Sequence, residues 1–372
     1  MVRLRLALST AVLLLPAFAP AFAPTRAPAQ RAAKTAAGDT APWTFAVSGN
    51  SRNCGDFVMP AIAAQARREN DAFYWHLGDF RAMTAPDQDL LALQPGGSRP
   101  SLAEYQQSAW DDFLAHQMAS FAAFPVFLSR GDHESTAPMT RQGYIAKFSA
   151  YLTRPEITAQ RKADGISSAP LAPWYHWTEG GVDFINLDNS DRDEFSEAQL
   201  RWPRSVLDRD LAPQSGIRTI VVGMHQALPR STGSSHAMDN GDRGIRTGTE
   251  VYAWLFNAQS AGMHVYVLAS HSPYYAPHIF ATPYWKQQGK VLPGWMIGLA
   301  GAHRSSLPAG TDPASRTRIY GFMQGTVHAD GTIDFTLHQL SENDLVRFKW
   351  PGAPREAIHE CFVHNADESD RR

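Results

Sequence analysis

Five polar side chains in this sequence each follow a short apolar segment. They are Asn50, Asp79, Asp132, His225 and His271, and the segments before them have the length and composition of β-strands. In open α/β sheets, ligands bind beyond the carboxyl ends of the strands, so these side chains are expected to share one rim. Carboxylates combined with imidazoles suit a borderline divalent ion such as zinc, manganese or iron. Each residue alone is explained equally well by a turn or a buried histidine, but their recurrence at successive strands predicts a metal site.

The segments that must position these residues alternate between strand and helix patterns. Strands are predicted over 43–48, 72–77, 125–129, 181–188, 217–223, 263–268, 294–301, 319–328 and 331–339. Helices are predicted over 57–70, 101–121, 196–211 and 250–261. Ser196 is the expected N-cap of the third helix, and Pro203 is expected to kink or shorten it. Residues 135–172 are predicted to be an irregular insertion, and the overall alternation indicates a layered α/β fold.

The order and spacing of the strand-end motifs resemble the calcineurin-like metallophosphoesterases over residues 43 to about 305. The motifs are Gly49-Asn50-Ser51-Arg52, Gly78-Asp79, Gly131-Asp132-His133-Glu134, Gly223-Met224-His225 and Ser270-His271-Ser272-Pro273. The resemblance implies an α/β fold in which a β-sandwich of two mixed sheets is flanked by helices. It also implies hydrolysis of phosphate mono- or diesters by a metal-bound hydroxide, with two ions in the family as a whole.

Three motifs depart from the family pattern. The first normally supplies Asp and His where this chain has Asn50 and Arg52, the third has Asp132 in place of Asn, and the last ends in Pro273 instead of His. One ligand set is nevertheless complete and consists of Asp79, Asp132, His225 and His271. We therefore expect one divalent ion, with Asn50 a weak ligand for an uncertain second one. Arg52 is expected near the vacated position, as a charge partner of Asp79 or as a fork for phosphate.

The resemblance also suggests which side chains act beside the metal. His133 is implied as the general acid for the leaving oxygen, with Glu134 orienting it, and Arg52 is expected to share the electrostatic role. The residues expected to bind a small phosphorylated substrate are Arg52, Arg81, His303 and Arg304. Two alternatives stay open: a lapsed enzyme that binds a metal or ligand on the same scaffold, and a metal-dependent enzyme acting on something other than phosphate.

The N-terminal residues have the layout of a secretory signal peptide. Arg3 and Arg5 precede the apolar stretch 6–19, and an A-x-A site ends at residue 29. We predict a signal peptide over 1–29, a linker over 30–42 and one domain over 43–372, exported to the periplasm or the extracellular space. An uncleaved anchor is the alternative, which the short apolar stretch disfavours, and no span is expected in the mature chain.

Charge and cysteine content limit the remaining possibilities. The chain has 34 Lys and Arg residues against 36 Asp and Glu residues, a net charge of −2, so specific nucleic-acid binding is not expected. Cys54 and Cys361 are the two cysteines, and in an oxidising compartment they are expected to form a disulfide, with two buried thiols as the alternative. The oligomeric state and the individual substrate are not predictable from this sequence.

Overall fold

The computed structural model describes residues 41–93, 99–233 and 236–364. The predicted signal peptide and all but the last two residues of the predicted linker lie outside these ranges. The strands are β1 (Trp43–Ser48), β2 (Tyr74–His76), β3 (Val126–Leu128), β4 (Tyr175–Glu179), β5 (Val182–Asn186), β6 (Thr219–Gly223), β7 (His264–Ala269), β8 (Tyr275–Pro277), β9 (Gly294–Ile297), β10 (Tyr320–Val327) and β11 (Ile333–Leu340). The helices are α1 (Gly55–Arg68), α2 (Gln88–Ala92), α3 (Leu102–Asp112), α4 (Arg141–Lys147), α5 (Ser149–Leu152), α6 (Pro155–Ala163), α7 (Glu197–Asp210), α8 (Asp242–Ser260), α9 (Pro283–Gln287), α10 (Glu342–Phe348) and α11 (Arg355–His364).

The strands form two mixed sheets. The first has the order β11-β10-β1-β2-β3, in which β1, β2 and β3 are parallel and β10 and β11 pair antiparallel. The second has the order β4-β5-β6-β7-β9-β8, with four central parallel strands and an antiparallel strand at each edge. This arrangement confirms the predicted α/β architecture of two mixed sheets flanked by helices.

Aromatic side chains fill the space between the two sheets. Phe45 of β1 and Phe73, the residue before β2, pack edge-on against Phe184 of β5, with ring centroids 5.1 and 5.0 Å from that of Phe184. Trp75 of β2 packs in the same way on Trp177 of β4, at 5.1 Å. Each such ring buries on the order of 150–250 Å², so these contacts dominate the core between the sheets. They also fix β2 against the second sheet, which brings the carboxyl ends of strands from both sheets to one rim.

The helices differ from the sequence prediction in several places. The helix expected over 101–121 begins with a capping box at Ser101, but α3 ends at Asp112 and continues as a π-helical turn and a 3₁₀ turn. Helix α7 is capped by Ser196 as predicted and runs through Pro203 to Asp210. Helix α8 begins at Asp242, eight residues earlier than expected. The segment 135–172 contains α4, α5 and α6, so its assignment as irregular was wrong; these helices span at most nine residues, too few for a clear 3.6-residue period.

A disulfide joins the start of α1 to α11. The sulfurs of Cys54 and Cys361 are bonded, and both residues are fully buried, which confirms the predicted pair. Across residues 41–93, 99–233 and 236–364, no helix has both the length and the apolar character needed to cross a bilayer.

Candidate metal centre

Four of the five predicted strand-end residues converge at one rim of the sandwich. Asp79, Asp132, His225 and His271 follow β2, β3, β6 and β7, and each offers one ligand atom within 4.8 Å of the other three. His225 Nε2 and His271 Nδ1 both lie 2.9 Å from Asp132 Oδ1, and His225 Nε2 lies 3.2 Å from Asp79 Oδ1. The arrangement brings together the ligand set that the sequence motifs predict.

The backbone prepares His225 to act as a ligand through Nε2. Its Nδ1 lies 2.8 Å from the carbonyl oxygen of Leu77, to which it donates a hydrogen bond. In the neutral imidazole this tautomer leaves a lone pair on Nε2, which points at the two carboxylates and at His271. A carbonyl oxygen behind a histidine ligand holds the ring in place and raises its basicity.

The donor set fits a divalent cation. Burial disfavours charge on His225, yet Asp79 and Asp132 hold its pKa well above the ordinary value. Asp79 Oδ2 is buried and has no hydrogen-bond partner among the described residues. Acceptor atoms this close together need either a proton or a metal ion between them, and two carboxylates with two imidazoles match the preferences of zinc, manganese or iron.

Glu134 and Gly131 hold the two Asp-bearing loops against each other. The Glu134 carboxylate accepts hydrogen bonds from the backbone N–H groups of Asp79, Phe80 and Gly131, at 2.8–2.9 Å. A Cβ at Gly131 would lie 2.3 Å from Asp79 Oδ1, so only glycine fits there. Burial and the charge of Asp79 raise the pKa of Glu134 to about 7 despite the three N–H donors. The expectation that Glu134 orients His133 is therefore corrected: its side chain is directed at the backbone of the Asp79 loop.

The His133 ring is oriented by a backbone carbonyl. Its Nδ1 donates to the oxygen of Ala82, and its Nε2 lies 3.8 Å from Asp79 Oδ2. The backbone N–H of His133 also donates to Asp79 Oδ1, at 3.2 Å. With 14% of its side chain exposed, His133 lies beside the candidate metal ligands and is still accessible to solvent.

Arg52 lies beside Asp79, where the sequence places a fixed cation. Its Nε donates to Asn50 Oδ1 at 2.8 Å and lies 3.7 Å from Asp79 Oδ2. Asn50 Nδ2 donates in turn to the backbone oxygen of His271, at 2.8 Å. Both ends of the Asn50 amide are thus engaged, and its oxygen faces a guanidinium group, which disfavours Asn50 as a metal ligand.

Two of the predicted substrate-binding residues are buried, so those assignments are corrected. Arg81 is completely buried because its side chain turns inward to a group of carboxylates that come from Asp56, Asp87, Asp89 and Asp112. Arg304 is only 6% exposed; its Nη1 donates to the oxygen of Arg318, and its guanidinium lies over the Tyr320 ring. His303 is partly exposed.

His236 is a neighbour of the site that sequence reasoning missed. Its Nδ1 lies 3.3 Å from His271 Nε2, on the side of that ring facing away from Asp132. The residue is exposed and comes eleven positions after His225, in a segment without any recognisable motif. Nothing in the sequence around it signals this proximity.

No protein-family model and no curated protein matches this sequence. Among solved structures, purple acid phosphatase PPD1 from seeds of yellow lupin (Lupinus luteus) is similar with a TM-score of 0.52 at 12% identity. The match covers 84% of this chain and 57% of that one, so this chain spans a little over half the length of the lupin enzyme. PhoD gives a TM-score of 0.49 at 15% identity, covering 91% of this chain and 79% of that one. A dimetal phosphatase from Danio rerio gives 0.48 at 12% identity, with coverages of 80% and 99%.

At sequence identities of 12–15%, similarity to these solved structures shows the fold alone. Together with the sheet order and the placement of the motifs, it shows that the chain has the calcineurin-like metallophosphoesterase fold predicted from its strand-end residues.

Proposed function

We propose that this protein is a metal-dependent hydrolase of phosphate mono- or diesters with a single ion at Asp79, Asp132, His225 and His271. The observation that carries the proposal is the convergence of the four ligand atoms, with His225 Nδ1 committed to the Leu77 carbonyl so that Nε2 is free for a metal. When bound, the ion would polarise a phosphoryl oxygen and lower the pKa of a water nucleophile.

Arg52 supplies the charge that a second ion would otherwise contribute. Its Nε is held by Asn50, while its two Nη groups have no hydrogen-bond partner among the described residues. The side chain is 21% exposed and can therefore reach a bound anion. A guanidinium fork matches two phosphate oxygens, so Arg52 is assigned to substrate binding and to stabilising negative charge in the transition state.

His133 is assigned to proton transfer. Because Nδ1 is committed to Ala82, the exchangeable position is Nε2, on the side of the ring near Asp79 Oδ2. A proton held at Nε2 can pass to the leaving oxygen of the ester, a role worth about 10²–10⁴-fold in rate. Glu134 contributes indirectly by holding the backbone of the Asp79 loop, and the partly exposed His303 is kept as a substrate contact.

Export is part of the proposal. The buried Cys54–Cys361 disulfide supports an oxidising compartment, since such bonds are rare in the cytosol.

A second candidate function is metal or ligand binding without catalysis. The observation in its favour is the engagement of the Asn50 amide by Arg52 and by the oxygen of His271, which removes the usual place for a second ion. Loss of that ion would remove half of the electrostatic clamp that paired metals provide in phosphatases.

A panel of phosphate mono- and diesters, assayed with and without chelator, separates the two candidates. We expect hydrolysis by the wild-type protein that chelator abolishes and that His225→Ala removes together with the bound metal. His133→Asn should lower turnover while keeping the metal. His359→Ala is the matched control, because this exposed histidine pairs only with Glu342 among the described residues and should leave both properties unchanged. Metal binding without hydrolysis of any ester would favour the binding protein.

A further inference from the structure

A second group of metal-capable side chains lies away from the rim described above. Asp56 is in the first turn of α1, Asp112 ends α3, and His116 follows four residues later in the π-helical turn. Each offers one ligand atom, and the three atoms lie within 4.8 Å of one another. None of these residues has a role in the proposed reaction.

Arg81 orients both carboxylates of this group. Its Nη2 donates to Asp56 Oδ1 at 2.5 Å and also bonds Asp112 Oδ2. The second oxygen of each carboxylate is left facing His116, whose Nδ1 lies 2.7 Å from Asp112 Oδ1 and 3.9 Å from Asp56 Oδ2. Ligand atoms around a tetrahedral zinc ion lie about 3.3 Å apart, so the three atoms need only small shifts to share one ion.

Two of the three ligand atoms have no hydrogen bond. Asp56 is fully buried, and its Oδ2 has no hydrogen-bond partner among the described residues. His116 Nδ1 is close to the Asp112 carboxylate but makes no well-directed hydrogen bond within the same part of the chain. Leaving a buried carboxylate oxygen unpaired is costly, so this arrangement favours a cation bound between these atoms.

The negative charge around Arg81 also favours a bound cation. Four carboxylates, from Asp56, Asp87, Asp89 and Asp112, surround this single guanidinium group within 4.0 Å. A divalent cation would offset the excess negative charge that burial makes unfavourable.

We propose that Asp56, Asp112 and His116 form a second binding site for a divalent transition-metal ion such as zinc or manganese. The imidazole ligand disfavours calcium and magnesium, which prefer oxygen ligands alone. His116 is 40% exposed and Asp112 15% exposed, so the ion can enter from solvent and retain water ligands. The ion would join α1 to α3 and steady Arg81, which lies two residues from the metal ligand Asp79. This site is independent of the proposed phosphoesterase activity.

Zinc content per chain in a set of variants tests the site. The protein is loaded with zinc, passed through gel filtration and analysed for bound metal. In the His225→Ala background, where the rim site is removed, we expect about one zinc ion per chain to remain. Adding His116→Gln should remove it, whereas adding His359→Gln should not, because that exposed histidine faces only one carboxylate among the described residues. His116→Gln alone should keep phosphoesterase activity, whereas adding it to His225→Ala should abolish the rise in Tm that zinc produces in the His225→Ala protein.

Equal zinc content in His225→Ala with and without His116→Gln would overturn the second site without affecting the proposed function. Retained zinc at the second site in a protein without esterase activity would overturn the proposed function alone. Circular dichroism confirms that each variant is folded before its metal content is compared.

Discussion

Replacing Arg81 by Met would leave four buried or largely buried carboxylates around an apolar side chain. Removing one partner of a buried ion pair costs about 3–5 kcal/mol, because the other partner stays buried without compensation. Unfolding entropy of about 2.1 cal/mol/K per residue gives roughly 0.7 kcal/mol/K for a domain of about 330 residues. The expected fall in Tm for Arg81→Met is therefore about 4–7 °C.

The pH dependence of this defect has a definite sign. Burial raises the folded-state pKa of Asp56 from 3.8 to about 6, although Arg81 opposes the shift. Protonation of Asp56 therefore stabilises the folded state at low pH, and this contribution is lost as the pH rises through about 6. Because the carboxylates are more fully charged at higher pH, Arg81→Met should lose more stability at pH 7.5 than at pH 5, in the presence of chelator.

The assay is thermal unfolding followed by circular dichroism, with Arg68→Met as the control. Arg68 is 58% exposed and pairs with Glu69 at 3.1 Å, so its loss should change the free energy of unfolding by less than about 0.5 kcal/mol. An unchanged Tm for Arg81→Met combined with a raised KM for phosphate esters would contradict a structural role for Arg81. That result would instead assign Arg81 to substrate binding, the role expected from its position two residues after Asp79.

Three further substitutions test other parts of the structure. Burial alone would lower the pKa of His176, but carboxylates 2.7 Å from both ring nitrogens raise it to about 9. Protonated His176 stabilises the folded state fully below pH 6.5, and this contribution is lost as the pH rises through about 9. In urea unfolding, His176→Gln should therefore cost on the order of 3 kcal/mol at pH 6 and much less at pH 9.5. Gly131→Ala should weaken zinc binding at least about 10-fold by calorimetry, because its Cβ would displace Asp79, whereas Gly241→Ala, with open space at that position, should have no effect. Cys361→Ser opens a loop of 307 residues and should cost up to about 6 kcal/mol by the chain-entropy model; calorimetry should give reduced wild-type protein the same Tm as the variant.

The candidate metal ligands were predictable because each comes within four residues of the end of its strand. A strand end places the next few residues at the sheet rim whatever the rest of the chain does, so Asp79 and His225 could be assigned from local pattern alone. The same reasoning extends to the sheet architecture, since alternating strands and helices restrict the possible layers.

The direction of side chains beyond the strand ends was not predictable in this way. Arg81 turns inward because carboxylates from three different helical regions meet around it, and two of them, Asp56 and Asp112, lie 25 and 31 positions away in sequence. Glu134 follows His133 in the chain but is held by amides from residues 79 and 80, more than fifty positions earlier. His236 approaches His271 only through the folding of the segment after β6, which carries no local signal.

Anomalous diffraction from crystals loaded with zinc tests the single-ion centre, because it locates each ion. We predict one strong peak among Asp79, Asp132, His225 and His271, with Arg52 remaining beside Asn50 and no second peak sharing Asp79. A zinc ion at the proposed second site beside His116 would give a separate peak and would not affect this outcome. Two zinc peaks bridged by Asp79, with Arg52 displaced from Asn50, would contradict the single-ion centre.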